Sequence, residues 1–227
     1  MKKLLILSDV HYPISSLATL GKIIRKEMPD NLLMLGDNIE LEMFREKGLA
    51  YKTFLSRLNR IFPLSKAFIM LGDNDYAYAG SKEILHIIDS FSPINRGAYF
   101  FFKIGNMIFF HGNLEKSKFV EKMGYYFVLA SRKASERLVP TMLSILVRFY
   151  FRIPRNDYLF LGHLHYLGLV GRTAFCGTLN YKAQFFADSL GYITVEHDNF
   201  DVSEGGVKLH HVDKTRPRQE SDLQPTG

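Results

Sequence analysis

Five hydrophobic runs in this chain each end in a carboxylate or an imidazole. Asp9 and His11 close LLILSDVH, Asp37 closes NLLMLGD and Asp73 follows FIMLG. His111 closes MIFFH, and His163 and His165 sit in YLFLGHLH. Short apolar runs bounded by glycine and polar residues read as buried strands. A strand that ends in such a residue sends its side chain out at the sheet edge, so the chain must fold to bring five edges together. Three carboxylates and four imidazoles suit two divalent cations that share one bridging ligand, the apparatus of phosphate-ester hydrolysis. Each run alone says little, because a lone Gly-Asp is usually a turn and a lone histidine on an apolar strand is usually a core residue. Gly-His-Leu-His says more, since alternate strand positions face the same way. Half of the eight histidines fall in these runs.

The order of elements agrees. Residues 2–8, 31–36 and 66–71 read as strands, and residues 15–27, 41–62 and 81–90 have helical spacing, with Pro63 ending the second helix. This βαβαβα series predicts parallel strands with crossover helices. Residues 99–104 and 107–110 then flank Gly105-Asn106, a hairpin signal. Residues 158–161, 167–170, 173–176, 192–196 and 207–211 read as further short strands. A parallel half followed by a meandering half predicts two stacked sheets with helices outside, in one domain over residues 1–213. Residues 214–227 lack apolar periodicity and are expected to form a disordered tail.

At 227 residues and 47% hydrophobic content the chain can bury one sizeable core. The lone cysteine, Cys176, excludes an intrachain disulfide and suits a reducing compartment. The first apolar run is too short for a secretion signal, and no stretch reaches the roughly 18 apolar residues of a membrane span. The expected location is therefore cytoplasmic. Residues 114–155 carry nine Lys/Arg against three Glu, which equals the net +6 of the whole chain. Such a surface favours phosphate-bearing partners without choosing among nucleic acid, lipid headgroup and nucleotide.

The series SDVHY, LGDNIE, LGDNDY, FHGN and LGHLH resembles the signature of the calcineurin-like metallophosphoesterases: Asp-x-His, Gly-Asp, Gly-Asn-His-Asp, His-Gly and Gly-His-x-His. The likeness runs from Met1 to about His211. It implies an α/β fold, a four-layer α/β/β/α sandwich of two mixed sheets, here with a helical insertion. It also implies that Asp9, His11 and His165 hold one metal, that Asp73, His111 and His163 hold the other, and that Asp37 bridges them. The implied reaction is hydrolysis of a phosphodiester or pyrophosphate bond in a small phosphate ester, nucleotide or lipid-linked, by a metal-activated hydroxide. Mn²⁺ stands ahead of Fe, Ni or Zn as the divalent ion. No covalent protein nucleophile is needed, and Cys176, inside a predicted strand, reads as a small core residue. Two alternatives stand beside this one: a nuclease acting on single-stranded nucleic acid, and a non-catalytic protein-binding scaffold on the same fold.

One motif departs from the pattern, with Gly72-Asp73-Asn74-Asp75 where Gly-Asn-His-Asp is usual. Asp73 puts a carboxylate where the family has a neutral amide, which makes the centre less positive and favours harder ions. Asn74 stands where the family's histidine assists the leaving group. An amide hydrogen-bonds but delivers no proton near pH 7, so leaving groups that need little protonation are favoured. Asp75 either orients Asn74 or caps a turn. Tyr12, Asn38 and Asn113, each beside a ligand position, are expected to touch substrate.

The insertion, residues 114–155, reads as two helices broken at Pro140. Phe119, Met123, Phe127 and Ala130 form a stripe on the first, flanked by Lys118, Lys122, Arg132 and Lys133, and the second is apolar nearly all round. One account packs these helices on the sheet or in a homodimer interface. The other makes residues 116–152 a lid that meets a greasy substrate or an anionic membrane surface, with the protein peripheral at the membrane. In place and character the insertion looks like that of the UDP-diacylglucosamine pyrophosphatases. His86, His197, His210 and His211 read as ordinary surface or core residues.

Overall fold

A computed structural model of the chain describes residues 1–75, 82–91, 101–112, 135–181, 186 and 189–212. The first half contains β1 (Lys2–Leu7), α1 (Leu17–Glu27), β2 (Asn31–Leu35), α2 (Lys47–Ile61), β3 (Ala67–Met70) and α3 (Lys82–Phe91). The second half contains β4 (Phe101–Ile104), β5 (Met107–Phe110), α4 (Leu138–Tyr150), β6 (Tyr158–Leu161), β7 (Leu167–Val170), β8 (Thr173–Cys176), β9 (Gly191–Asp198) and β10 (Asp201–His211). Two five-stranded sheets result, in the orders β10-β9-β1-β2-β3 and β4-β5-β6-β8-β7. Both are mixed. In the first, β1, β2 and β3 run parallel while β9 and β10 are antiparallel. In the second, β5, β6 and β8 run parallel between the antiparallel edges β4 and β7.

Strand alternation sorts the apolar side chains into layers. Leu4, Ile6, Leu33, Leu35 and Ile193 of the first sheet meet Met107, Phe109, Phe160 and Cys176 of the second in one buried cluster. Their neighbours Leu5, Leu7, Leu32 and Met34 face the other way and pack against Leu20, Ile24, Phe54 and Leu58 of α1 and α2. On the far side, Ile108, Leu159, Leu161 and Phe175 pack against Val147 of α4. The layers therefore run helix, sheet, sheet, helix, as the family resemblance implied. Cys176 is fully buried in the inter-sheet layer.

Element ends differ from the sequence reading for local reasons. α1 starts at Leu17 because the Ser16 hydroxyl accepts from the Thr19 amide as its N-cap. The helix predicted over residues 41–62 divides into a single 3₁₀ turn at Leu41–Met43 and α2, because Phe44 between them is extended (φ −118, ψ 138). Only one flank of α4 is used for packing: Val139, Pro140, Ser144 and Val147 are buried, whereas Ile145, Leu146, Phe149 and Tyr150 are 57–84% exposed. Pro140 sits in the first turn, where the missing N–H has no intrahelical partner to lose. Arg148 pins the helix down. Its guanidinium donates to Thr173 Oγ1 at 2.9 Å and to the carbonyls of Pro154, Asp157 and Arg172 at 3.2, 3.0 and 2.7 Å. The first insertion helix, Asn113 and the tail lie outside the described residues. Among the described residues, no helix is long and apolar enough to cross a membrane.

Candidate metal centre

Parallel pairing lines up the strand ends that carry the polar residues. Leu7 pairs with Met34 and Leu35 with Met70, so Asp9, Asp37 and Asp73 emerge along one edge. Phe110 pairs with Leu161 in the second sheet, which brings His111 beside His163. Beyond β1 and β2 the two chains stay laced. Asp9 N donates to Gly36 O (3.1 Å), His11 N to Asp37 O (2.9 Å), Tyr12 N to Asn38 O (3.0 Å) and Glu40 N to Tyr12 O (2.8 Å).

Five of the seven residues have left-handed backbones: Asp9 (φ 50), His11 (49), Asp37 (49), His163 (60) and His165 (52). Asp and His are among the few side chains that visit this region readily, and strained backbone concentrates where function over-determines it. The glycines before the acidic residues have a steric reason. A Cβ on Gly36 would lie 2.4 Å from His111 Nδ1, and one on Gly72 would lie 2.0 Å from Asp37 Oδ1.

The side chains converge in two groups, Asp37 with Asp73, His111 and His163, and Asp9 with His11 and His165. Within each group the candidate ligand atoms lie within 4.8 Å of one another. His111 Nε2 is 3.2 Å from Asp73 Oδ1, 3.5 Å from Asp37 Oδ1 and 4.0 Å from Asp9 Oδ1, which ties the groups together. His163 Nδ1 lies 3.0 Å from Asp73 Oδ1, and His165 Nε2 lies 3.1 Å from Asp9 Oδ1. Asp9 is fully buried and also accepts from the Ser8 hydroxyl and the His163 amide.

Burial alone raises a carboxyl pKa and lowers that of an imidazole, and here the neighbours outweigh burial. His165, His111 and His11 hold Asp9 well below the usual range, and His111 and His163 do the same for Asp73. Despite burial, Asp37 and Asp9 raise His111, and Asp73 raises His163. The hydrogen bond to Glu40, with the charges of Asp37 and Asp9, pushes His11 up to about 8. His11, His111 and His163 are thus each shifted toward the protonated form by the carboxylates, and cation binding there would compete with those protons.

The set fits a pair of divalent cations. Its donors are hard oxygens and imidazole nitrogens, and His11 Nε2 is buried without any hydrogen-bond partner. That ring's other nitrogen, Nδ1, lies 2.9 Å from Glu40 Oε2. Glu40 was missed in the sequence reading. The only available signal was its place three residues after Asp37, on a segment predicted to lead into a helix.

Asn74 donates its backbone N–H to Asp37 Oδ1 at 3.0 Å and its amide to Asp37 Oδ2 at 2.8 Å. Asp75 is fully buried and accepts from Gly72 N, Ile39 N, and both the backbone and side-chain nitrogens of Asn38. It joins the loops after β2 and β3 and, by accepting from Gly72 N, closes the turn that carries Asn74. Burial and the Asp37 charge push Asp75 up to about 7 against the pull of those N–H groups. Asn38 is fully buried, and its side-chain nitrogen donates to Met70 O at 2.8 Å in the interior. Tyr12 is nearly buried, takes a hydrogen bond from Arg57 at 2.8 Å, and lines a groove with Phe44, Arg45 and Arg57.

A family model described as calcineurin-like phosphoesterase matches residues 2–167. The chain belongs to the calcineurin-like phosphoesterase family. It is accordingly a metal-dependent hydrolase, of a family whose members work with two metal ions on phosphoesters. A solved structure at 15% identity and TM-score 0.52, covering 92% of this chain and 98% of the other, shares the fold. YfcE, a phosphoesterase from E. coli, is similar at 16% identity and TM-score 0.47, over 86% of this chain and 89% of that one. No curated protein matches the chain.

Proposed function

We propose that this phosphoesterase hydrolyses a phosphodiester or pyrophosphate bond. In this reading Asp9, His11 and His165 hold one divalent cation, Asp73, His111 and His163 hold the other, and Asp37 is shared. The observation that carries the reading is the meeting of seven donor side chains from five strand ends in two adjoining groups. Bound there, two divalent cations supply Lewis acidity toward phosphate oxygens and a water acidified toward neutral pH. Asn74 fixes both Asp37 oxygens through its two N–H donors, and so sets the orientation of the shared carboxylate. Because Asn74 delivers no proton, the leaving group departs without acid assistance from this position, which favours nucleotide phosphates and aryl esters. Asp73 makes the pair one charge unit less positive than a neutral amide would, which costs a phosphate dianion more than a diester monoanion and favours Mn²⁺ among the divalent ions.

Two surfaces bear on the rest of the substrate. The groove of about 450 Å³ beside Tyr12 offers Phe44, Arg45 and Arg57, a chemistry suited to an aromatic base and a second phosphate. The exposed stripe Met142, Ile145, Leu146, Phe149 and Tyr150 of α4, set in a basic stretch, supports peripheral contact with an anionic lipid surface. Anionic vesicles should co-sediment the protein, and Phe149→Glu should release it.

The deciding experiment is metal content by atomic emission together with turnover of bis-p-nitrophenyl phosphate in Mn²⁺. Two ions per chain and turnover, both lost in Asp37→Ala, are expected. A loaded protein with no turnover would make the chain a scaffold, and a chain that retains no metal would overturn the ligand assignment. Asp73→Asn should shift preference toward monoesters, and an unchanged ratio removes the charge argument.

A further inference from the structure

The two groups are not equivalent. The side chains of Asp9, His11 and His165 are 0%, 6% and 8% exposed, whereas the other group pairs the buried Asp37 and His111 with Asp73 and His163, which are 39% and 40% exposed. Different groups also stand behind the imidazoles. His111 Nδ1 donates to the Leu35 carbonyl at 2.6 Å, which turns Nε2 toward the carboxylates. His11 Nδ1 faces the Glu40 carboxylate at 2.9 Å, and its buried Nε2 makes no hydrogen bond and points toward Asp37, 3.7 Å from Oδ2.

Glu40 reaches His11 because of the backbone, not by chance of a flexible side chain. The rungs from His11 N to Asp37 O and from Glu40 N to Tyr12 O hold residues 9–12 and 36–40 in register. The isolated bridge between Tyr12 and Ile39 continues the same pairing. Leu41, next along, is fully buried and anchors the segment from the other side. Glu40 is therefore presented to the imidazole by a ladder that would exist without either side chain.

We propose that Glu40 is a positioning residue that makes the Asp9–His11–His165 group the tighter of two unequal cation sites. The carboxylate fixes the ring with Nε2 turned toward Asp37, and it puts a charged group behind this imidazole where His111 has only a neutral carbonyl. The buried group keeps its cation, and the half-exposed group with Asp73 and His163 exchanges it. This rests on the ligand assignment proposed above.

The test is calorimetric titration of the metal-free protein with Mn²⁺. Wild type should show two steps of different affinity. Glu40→Ala should weaken the tighter step by about 10- to 100-fold and leave the weaker step unchanged. Glu40→Gln keeps an acceptor for the Nδ1 proton but loses the charge, and should fall between. Metal-free Glu40→Ala loses the Glu40–His11 hydrogen bond and is expected to melt below wild type, so the discriminating readout is selective weakening of one binding step, which a general structural defect would not produce. Two equal steps in wild type, or equal weakening of both steps in the variants, would overturn the proposal while leaving the ligand assignment intact. Absence of any Mn²⁺ binding by wild type would instead sink the assignment itself.

Discussion

Gly72→Ala isolates, in one methyl group, the geometry of Asp37, the carboxylate proposed to be shared. Gly72 lies outside the left-handed region, so alanine meets no backbone objection there, and the penalty is purely one of space. The new Cβ would sit 2.0 Å from Asp37 Oδ1, 2.4 Å from Asp37 N and 2.7 Å from Asp37 Cγ. To open the closest contact even to 3.0 Å, which real Cβ atoms seldom undercut, the carboxylate must retreat by about 1 Å. It has no slack, because Asn74 holds both of its oxygens and the backbone beside it carries the rung to His11. Displacements of about 1 Å at a reacting centre cost on the order of 100-fold in rate. The expected result is a loss of about 100-fold or more in kcat/KM for bis-p-nitrophenyl phosphate with Mn²⁺, with weakened binding of the cation. Gly21→Ala is the control. Its Cβ meets the mobile tip of Arg25 at 3.3 Å, and alanine in a helix interior is better than glycine by about 1 kcal/mol, so stability should rise and turnover should stay. Wild-type turnover and metal affinity in Gly72→Ala would refute the claim that Asp37 is a tightly placed bridging ligand.

Chelation should lower the unfolding temperature. A ligand at 100 times its Kd adds about 2.7 kcal/mol, and each kcal/mol shifts a domain of this size by about 2–4 °C, so differential scanning should show a fall of at least roughly 5 °C. Arg148→Ala should cost about 2–3 kcal/mol in urea denaturation, because three carbonyls and the Thr173 hydroxyl lose a charged donor. Arg148→Lys should recover little of it, since an ammonium does not reproduce the fork. Burial raises the Glu27 carboxyl, but the Tyr192 hydroxyl at 2.7 Å, His210, Lys3 and Lys26 outweigh it and hold it below its ordinary 4.5. A depressed carboxyl stabilises the fold above the unfolded-state value and loses that contribution as pH falls through the folded-state value. Glu27→Gln should therefore flatten the acid limb of the stability profile, and an unchanged limb would count against the pairing.

The seven donor residues were legible because strand physics and site chemistry coincide at them. An apolar run that stops at Gly-Asp or Gly-His announces both a buried strand and what stands at its end, and parallel pairing does the rest. The layer order was implied by the family resemblance, because Leu4–Leu7 and Leu32–Leu35 are apolar throughout and only the structure shows which of them face each layer. Glu40 and Asn38 show where this reasoning stops. Both follow Asp37 within three residues, yet one faces an imidazole and the other the interior. The difference is set by the ladder to Tyr12 and by the buried Asp75, both contacts distant in sequence. The break at Phe44 and the outward face of α4 were hidden for a related reason. Apolar composition states how much surface a helix has to hide, not which flank a neighbouring sheet will cover.

The left-handed backbone at Asp9, His11, Asp37, His163 and His165 narrows what genetic drift can do at this centre. At those five positions most replacements incur a conformational penalty before any lost chemistry is counted, so only short polar side chains or glycine pass cheaply. Asp73 and His111 stand outside that set. Residue 73, a proposed ligand where a carboxylate stands in place of the amide of the motif it resembles, is thus a place where the main chain does not restrict the side chain. Retuning of charge and metal preference in relatives of this enzyme is expected to enter there first.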